Sequence, residues 1–361
     1  MSRWFGLRPP RSPLLGASAS AHGETNGVAA VHLVWGPLGP EPLRRFVRSY
    51  REQPAGLEHD LVVLLNGVPL ADQALMLEEL ADLPYRLLVL PRPVQDLSAY
   101  TYAAEQLEHG RLCFLNSHSE LLAPGWLAKL DAALADGGAG LVGATGSWAS
   151  TRSWILYLLG LPSPYRGVLP PRSAARAQFL EIELEREGRA VVGQDDPARR
   201  SPLESLRAKL RTLPAMPAQM LGFDGFPAHH LRTNAFMVRR SMLRRLHAHQ
   251  IATKMGAYEL ENGRHSLTRQ VQAMGLRTLV VARDGSAYPA ERWPQARTFW
   301  QGDQEGLLVA DNQTRSYAVG GAERRRLLAA YAWGSLADPV WSGVSANTCR
   351  PGRVGGGVEA R

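Results

Sequence analysis

The sequence lacks several features that define whole classes of protein. It has only two cysteines, Cys113 and Cys349, among 361 residues, so it cannot form the disulfide framework of a small secreted domain. Cys113 stands inside an apolar run and is predicted to be a reduced core residue, which favours a reducing, intracellular setting. The longest apolar stretch, SWILYLLGL at 153–161, is far shorter than the roughly 20 residues of a membrane span. It could be a core helix or a shallow membrane contact, and the core helix is favoured.

Three glycine-based motifs are also missing. The first predicted strand is followed by WGPLGPE at 35–41 rather than by G-x-G-x-x-G. Neither G-x-x-x-x-G-K-[ST] nor G-x-S-x-G occurs in the chain. These absences argue against a classical dinucleotide-binding enzyme, a P-loop NTPase and an α/β-hydrolase.

What the sequence does have is positive charge, with a formal net charge of +8. A basic surface could bind nucleic acid, an acidic membrane or phosphate-bearing substrates, and the alternative is an arginine-rich composition with no polyanionic partner. The arginines are spread along the chain, and aromatic residues do not alternate with them as on a platform for single-stranded nucleic acid. We therefore expect no nucleic-acid partner.

The pattern along the chain predicts one large α/β domain. Residues 1–28 are predicted to be a disordered leader and 339–361 a disordered tail, because both are rich in Pro, Ser, Gly and Arg. Within 29–338, near-continuous apolar runs such as DLVVLLN and RLCFLN alternate with amphipathic segments. This alternation predicts a mostly parallel sheet with helices on both faces. Residues 150–225 break it and are predicted to be loops and one or two surface helices.

A polar cluster, NSHSE at 116–120, follows the fourth predicted strand and precedes the helical segment PGWLAKL. In open α/β sheets, ligands bind at the carboxyl ends of the strands. Asn116 and His118 are therefore predicted to face a ligand there.

Four segments taken in order resemble the family-2 glycosyltransferases with a GT-A fold: CFLNSHSELLAPGWLAKL, GLVGATGSW, NAFMVRR and YELENGRHSLTRQVQAMG. The resemblance covers about 30–147 and 230–285. It implies a mixed, mostly parallel GT-A-like sheet. It also implies transfer of a sugar from a nucleotide-diphosphate sugar to a hydroxyl of a glycan or lipid-linked acceptor, with inversion, in cell-surface polysaccharide synthesis. The expected location is the cytoplasm or the inner face of the membrane, with a peripheral membrane contact as an option. The alternative is a glycosyltransferase-like binding or assembly partner without catalysis.

The departures from the family pattern leave two questions open. The family's metal-binding Asp-x-Asp is replaced by Asn116-Ser117-His118. His118, with His230 as a further ligand, could hold Mn²⁺ or Mg²⁺, and imidazole favours Mn²⁺. Alternatively His118 is a hydrogen-bonding loop residue, the enzyme works without metal, and Arg232 or other basic groups neutralise the diphosphate. Glu261 is the first choice for the general base and Glu259 the second; alternatively both glutamates simply start a helix, stabilised by its dipole.

The remaining candidates follow from position and chemistry. Asn66 ends the second strand and Asp96 precedes a helix, so both are candidates for donor binding, with an N-cap role as the alternative for Asp96. The family resemblance implies that Asn234 and Trp148 lie on the acceptor side. Trp148, Trp293 and Trp300 could stack on sugars or pack in the core. Four residues in loops after the last predicted strand could shape the acceptor site: Asp284, Tyr288, Asp303 and Gln304.

Overall fold

A computed structural model describes residues 25–191, 222–246 and 254–338. Twelve strands lie within these ranges: β1 (Thr25–Trp35), β2 (Asp60–Asn66), β3 (Arg86–Val89), β4 (His109–Leu115), β5 (Glu120–Leu121), β6 (Ala139–Gly143), β7 (Gly146–Ser147), β8 (His230–Leu231), β9 (Ala235–Arg239), β10 (Arg277–Val281), β11 (Ala287–Pro289) and β12 (Val309–Ala310).

The α-helices of the described ranges connect these strands and cover them. They are α1 (Glu41–Glu52), α2 (Leu70–Leu77), α3 (Asp96–Gln106), α4 (Trp126–Ala135), α5 (Thr151–Leu158), α6 (Arg172–Val191), α7 (Arg240–Arg245), α8 (Lys254–Asn262), α9 (Leu267–Ala273), α10 (Trp293–Ala296), α11 (Asn312–Ala318) and α12 (Ala322–Trp333).

Eight strands form one sheet in the order β11-β10-β6-β9-β4-β1-β2-β3. The pairs β2–β3, β1–β2, β1–β4 and β6–β10 are parallel. β9 lies antiparallel between β4 and β6, and β11 is antiparallel to β10. The predicted mixed, mostly parallel sheet is therefore confirmed. Two short antiparallel pairs, β5–β12 and β7–β8, lie outside it.

Two apolar layers hold the sheet, one on each face. Alternate residues of β1 point to opposite sides, so Ala29, Val31 and Leu33 pack in one layer and Val28, Ala30 and Val34 in the other. The first layer includes side chains of α3, α7, α9 and α12, and the second includes those of α1, α2 and α4. Helices therefore cover both faces, as the sequence predicts.

Helix α1 shows how the pattern produces the packing. Leu43, Phe46 and Val47 are buried at helical spacing, so one stripe faces the sheet while the charged residues face solvent. Burying a side chain of this size stabilises the fold by about 1.5–3 kcal/mol. Cys113 lies fully buried in β4 as a free thiol, as predicted; Cys349 lies outside the described residues.

Three boundaries differ from the prediction. β1 begins at Thr25, so the predicted leader is too long by its last four residues. The segment YELENGRHSLTRQVQAMG, in which the glutamates could have started one helix, instead spans two, α8 and α9, which are separated at Gly263. A Cβ on Gly263 would lie 2.4 Å from the carbonyl oxygen of Glu259, so the close turn there requires glycine. The antiparallel edge strand β11 was not predicted.

The region from residue 150 contains two helices in its described part, α5 and α6, and residues 192–221 lie outside the description. The apolar stretch at 153–161 divides at the end of α5. Tyr157 is buried, whereas Leu159 and Leu161 are about half exposed. Over the described ranges, no helix combines the length and the apolar character needed to cross a membrane.

Candidate active site

The carboxyl ends of β1, β2 and β4 meet at one edge of the sheet. Because β9 is antiparallel, its amino end reaches the same edge, and the Asn116 backbone N–H donates to the Asn234 carbonyl oxygen at 2.8 Å. The segments that follow β4 and precede β9 are thus joined directly. This contact brings the predicted donor-side and acceptor-side residues to a common edge.

The NSHSE loop is braced by its own polar atoms. The Asn116 Oδ1 accepts from the His118 backbone N–H at 3.0 Å and from the Ser119 hydroxyl at 3.1 Å. The Ser117 Oγ accepts from the Trp35 backbone N–H at 2.9 Å, which fixes the loop to the end of β1. The Asn116 carboxamide oxygen therefore shapes the loop, as Asx turns do.

His118 lies among cationic side chains that were not predicted from the sequence. Burial, together with the charges of Arg315 and Arg45, holds the pKa of His118 below its usual value, against the opposing effect of Asp311. Arg315 also donates to the His118 carbonyl oxygen at 3.1 Å and pairs with Glu120 at 3.1 Å. The loop is thus held against the start of α11 by an arginine far away in sequence.

Asn66 and Asp96 occupy the ends of neighbouring elements on the first-layer side. Both ends of the Asn66 carboxamide bind the Val94 backbone, at 2.8 and 3.1 Å, so this side chain holds the loop before α3. Asp96 is the first residue of α3 and is exposed to solvent. The surrounding protein, together with the charge of Glu261, nevertheless raises the pKa of Asp96 to about 6. The carboxylates of Asp96 and Glu261 therefore act on each other across this edge.

A cavity of about 400 Å³ opens beside this edge, a volume typical of small-molecule sites. Aromatic side chains supply much of its wall, and Glu261, His230 and Arg232 supply polar groups. The aromatic lining comprises Trp154, Phe179, Tyr258, Phe299, Trp300 and Tyr331.

Glu261 lies near the carboxyl end of α8, half-buried in the cavity wall. Its Oε1 accepts from the Thr233 backbone N–H at 3.1 Å, which fixes the carboxylate between α8 and the segment that enters β9. Glu259 is on the same helix but does not line the cavity. The alternative that the two glutamates start a helix is wrong, because they lie at the end of α8 and the next helix begins at Leu267.

His230 presents a defined ring nitrogen to the same cavity. Its Nδ1 lies 2.8 Å from the Ala228 carbonyl oxygen, which can only accept, so Nδ1 carries the proton. Burial lowers the pKa of His230, although the Ala228 hydrogen bond and the charge of Glu261 act in the opposite direction. In the neutral ring, Nε2 is left as an acceptor.

Arg232 is paired inside the protein. It donates to the Asp311 Oδ2 at 2.7 Å and lies 4.1 Å above the Phe299 ring, and both side chains of the ion pair are almost fully buried. Asn234 is also buried. Its Oδ1 accepts from the Thr145 hydroxyl at 2.6 Å, and its Nδ2 has no partner. The Arg232 charge is therefore already met by a carboxylate.

The other predicted acceptor-side residues divide between core, wall and surface. Trp148 and Trp293 are buried and donate to backbone carbonyl oxygens, whereas Trp300 lines the cavity. Its loop contains three non-glycine residues with left-handed backbone, Arg297, Trp300 and Gln304, a strained conformation that is often found at functional sites. The four loop candidates do not line this cavity: Asp284, Tyr288, Asp303 and Gln304.

The residues around His118 do not fit a divalent cation. Hard cations prefer several oxygen ligands, but the Asn116 Oδ1 is occupied within the loop and two arginine charges act on His118. The charges that act on His230 are those of Glu261 and Arg232, not those that act on His118, so the two histidines do not share one site. No group of three His, Cys, Asp or Glu side chains in the described part of the chain could hold a metal ion.

Comparison of the chain with protein-family models gives no match, and comparison with curated proteins gives none either. Among solved structures, the chain is similar to Staphylococcus aureus TarS 1-349 in complex with UDP-GlcNAc, at 14% identity over 32% of this chain and 33% of that chain, with a TM-score of 0.26. It is also similar to glucosyl-3-phosphoglycerate synthase from Mycobacterium tuberculosis in complex with Mn²⁺, UDP and glucosyl-3-phosphoglycerate, at 15% identity over 37% and 51%, with a TM-score of 0.28. The chain thus spans between a third and a half of these two structures, and functional assignment depends on the site residues.

Proposed function

We propose that the protein is a glycosyltransferase that moves a sugar from a nucleotide-diphosphate sugar to a hydroxyl of a glycan or lipid-linked acceptor. The observation that carries this proposal is the placement of Glu261. Its carboxylate is fixed by the Thr233 N–H at the carboxyl edge of a mostly parallel sheet and lines an aromatic-walled cavity. Aromatic rings provide apolar faces for sugar rings, and a positioned carboxylate can take a proton from an attacking hydroxyl.

In this reaction Glu261 acts as the general base. It accepts the proton of the acceptor hydroxyl while that oxygen forms a bond to the anomeric carbon of the donor sugar. The bond from the anomeric carbon to the diphosphate oxygen breaks, and the nucleoside diphosphate leaves with the electron pair. Inversion at the anomeric carbon and a role in cell-surface polysaccharide synthesis belong to the proposal through the sequence resemblance. The Nε2 of His230, held by the Ala228 contact, can orient an acceptor hydroxyl beside Glu261.

The donor is placed on the other side of the same edge, beside Asp96 and the NSHSE loop. The Arg232 charge is met by Asp311, so positive charge for the diphosphate must come from elsewhere. Arg45 and Arg315 lie close enough to His118 for their charges to lower its pKa. Both arginines also pair with a carboxylate, Arg45 with Glu41 at 3.8 Å and Arg315 with Glu120 at 3.1 Å, but these pairs are partly exposed whereas that of Arg232 is buried. Because an exposed pair can exchange its partner for a diphosphate, we assign diphosphate neutralisation to Arg45 and Arg315.

A second candidate function is that of a non-catalytic binding or assembly partner. The observation that favours it is the NSHSE loop, where the position of the family's metal-binding carboxylates holds an amide engaged in internal hydrogen bonds. The two functions differ in whether the protein binds a nucleoside diphosphate.

The test is thermal unfolding with UDP, GDP, TDP or CDP, each in the presence of Mn²⁺, Mg²⁺ or EDTA. A ligand that binds only the folded protein raises the midpoint, by about 2.7 kcal/mol of stability at a hundredfold excess over Kd. We expect one nucleotide to raise the midpoint, and sugar transfer from the corresponding nucleotide sugar to be detectable. Absence of a shift with all four nucleotides, in every metal condition, would contradict a transferase and favour the assembly partner.

A further inference from the structure

A surface beside the cavity combines exposed leucines with arginines. Leu159 and Leu161, just after the end of α5, are 50% and 47% exposed. Arg166 and Arg172 line a second cavity with Leu161, about 450 Å³ in volume. We call Leu159, Leu161, Arg166 and Arg172 the leucine–arginine patch.

The exposure of the two leucines is built into the backbone. Gly160 adopts a left-handed φ of 77°, and the Leu161 N–H donates to the Leu156 carbonyl oxygen at 3.0 Å. This is the hydrogen bond of a Schellman motif, which ends α5. Arg166 then donates to the Gly160 carbonyl oxygen at 3.1 Å. The turn that presents the leucines is therefore fixed by the same arginine that belongs to the patch.

The inner side of this region is already covered. Tyr157, Tyr165 and Leu169 pack in a small apolar cluster with residues of α12. The leucines of the patch lie outside this cluster, so internal packing does not account for them. Half-exposed leucines on their own are common on protein surfaces, so the arginines beside this pair decide what it can bind.

The charge of the region selects the partner. From residue 137 to residue 180 the chain has no Asp or Glu, whereas it has four arginines, at positions 152, 166, 172 and 176. Such a segment complements a negatively charged surface. Arginine side chains can bind lipid phosphates while neighbouring leucines enter the acyl boundary.

The patch also adjoins the main cavity. Helix α5 contributes Thr151, Trp154 and Leu158 to that cavity, and Leu159 is the next residue. The patch therefore begins one residue beyond a residue of the cavity wall.

We propose that the leucine–arginine patch docks the protein on an anionic lipid surface. If the proposed function is correct, on which this second part rests, docking brings a lipid-linked acceptor to the mouth of the cavity that holds Glu261.

The test is flotation of the full chain with phosphatidylcholine vesicles, with and without phosphatidylglycerol, at low and high salt. We expect binding only to the anionic vesicles, with less binding at high salt. Leu159→Ser with Leu161→Ser should lower the vesicle partition coefficient at least about tenfold. Leu70→Ser with Leu75→Ser is the matched control, because these leucines are 84% and 53% exposed on α2, and it should leave binding unchanged.

A second pair of variants tests charge, and Arg172→Gln alone is the form that leaves the Arg166 hydrogen bond to Gly160 in place. Arg166→Gln with Arg172→Gln should lower binding about fivefold for each arginine. Arg48→Gln with Arg92→Gln, at exposed sites elsewhere, is the matched control.

Three results would overturn the proposal: no binding to anionic vesicles, equal binding by the patch variants and their controls, or a fall in molar mass of the leucine variant in light scattering. The last result would make the patch an interface between copies of the chain. The nucleotide-induced thermal shift separates this proposal from the proposed function, since the patch variants should retain it. Vesicle binding without any nucleotide shift would refute the transferase but not the docking surface.

Discussion

The buried ion pair between Arg232 and Asp311 gives the sharpest prediction about the site. The two side chains are 8% and 1% exposed, and their atoms lie 2.7 Å apart. Asp311 also caps α11, since its Oδ1 accepts from the Thr314 N–H at 2.8 Å. Asp311→Ala removes both contacts. We expect it to cost about 3–5 kcal/mol for the unpaired guanidinium and about 1 kcal/mol for the lost cap. That sum is a large share of the roughly 5–15 kcal/mol by which a typical domain is stable.

Two further variants separate these contributions. Asp311→Asn keeps an oxygen for the Thr314 N–H, so we expect it to lose mainly the charge pairing. Arg232→Met removes the partner and fills part of its space. The double variant, Asp311→Asn with Arg232→Met, has no charge at either position. We expect its loss in free energy of unfolding to be about 2 kcal/mol smaller than the summed losses of the two single variants.

The assay is urea denaturation at neutral pH, followed by circular dichroism, for the protein and the four variants. If the losses in free energy of unfolding of the two single variants add up to that of the double variant, the reasoning is refuted, because independent sites show no coupling. The pH dependence gives a second check. Burial alone would raise the pKa of Asp311, but Arg232 and Thr314 outweigh it and hold the pKa below the usual value. The pairing therefore stabilises the fold at pH values above the ordinary aspartate pKa. As the pH falls below that value, the difference in free energy of unfolding between the protein and Asp311→Asn should narrow.

Three further predictions concern the site and its edge. Glu261→Gln retains the acceptor for the Thr233 N–H and should lower sugar transfer by about 10²–10⁴-fold while the nucleotide-induced thermal shift persists. Glu259→Gln, outside the cavity wall, should change sugar transfer little. Equal losses of sugar transfer in the two variants would refute the assignment of Glu261 as the base. Asp96 has a pKa raised to about 6 in the folded state, so its ionisation destabilises the fold. Denaturation at pH values rising from 4 to 6 should therefore show the free energy of unfolding of the protein falling relative to that of Asp96→Asn. A difference between the two that stays constant over this range would contradict the prediction. A Cβ on Gly36 would lie 2.2 Å from a backbone carbonyl oxygen, whereas one on Gly137 meets nothing within 4 Å, so Gly36→Ala should cost about 1–3 kcal/mol and Gly137→Ala should leave the melting midpoint nearly unchanged.

The sequence predicts the sheet because local pattern and burial agree there. The amphipathic segment EPLRRFVRSYRE has the bounds of α1, and the apolar run DLVVLLN has those of β2. The antiparallel direction of β9 could not be predicted in the same way. Its residues are as apolar as those of a parallel strand, and direction is set by how the chain returns from residues 150–230. The break between α8 and α9 had a visible signal, Gly263, which the helical pattern on either side obscured.

The candidate site was predicted only in part, for a physical reason. Residues such as Glu261 and His230 could be proposed because their chemistry stands beside recognisable strands. Asp311, Arg315 and Arg45 were missed because they reach the NSHSE loop from segments distant in sequence. Local pattern carries no information about such contacts, although the Asp311-to-Thr314 spacing is a recognisable helix-start signal.

The choice between metal and arginine at the diphosphate can be argued from charge. An Asp-x-Asp segment carries negative charge, and a divalent cation must reverse it before a diphosphate can bind. Asn116 and His118 carry no negative charge, and Arg45 and Arg315 bring positive charge to the same loop. The Asp311 carboxylate acts on His118 in the opposite direction, but it is buried in its ion pair with Arg232. A cation placed at the loop would be repelled by Arg45 and Arg315, whereas a diphosphate would be attracted by them. We therefore predict that the thermal shift produced by a nucleoside diphosphate persists in EDTA and falls in Arg45→Gln and Arg315→Gln. Abolition of the shift by EDTA would show instead that the loop rearranges to expose metal ligands when the nucleotide binds.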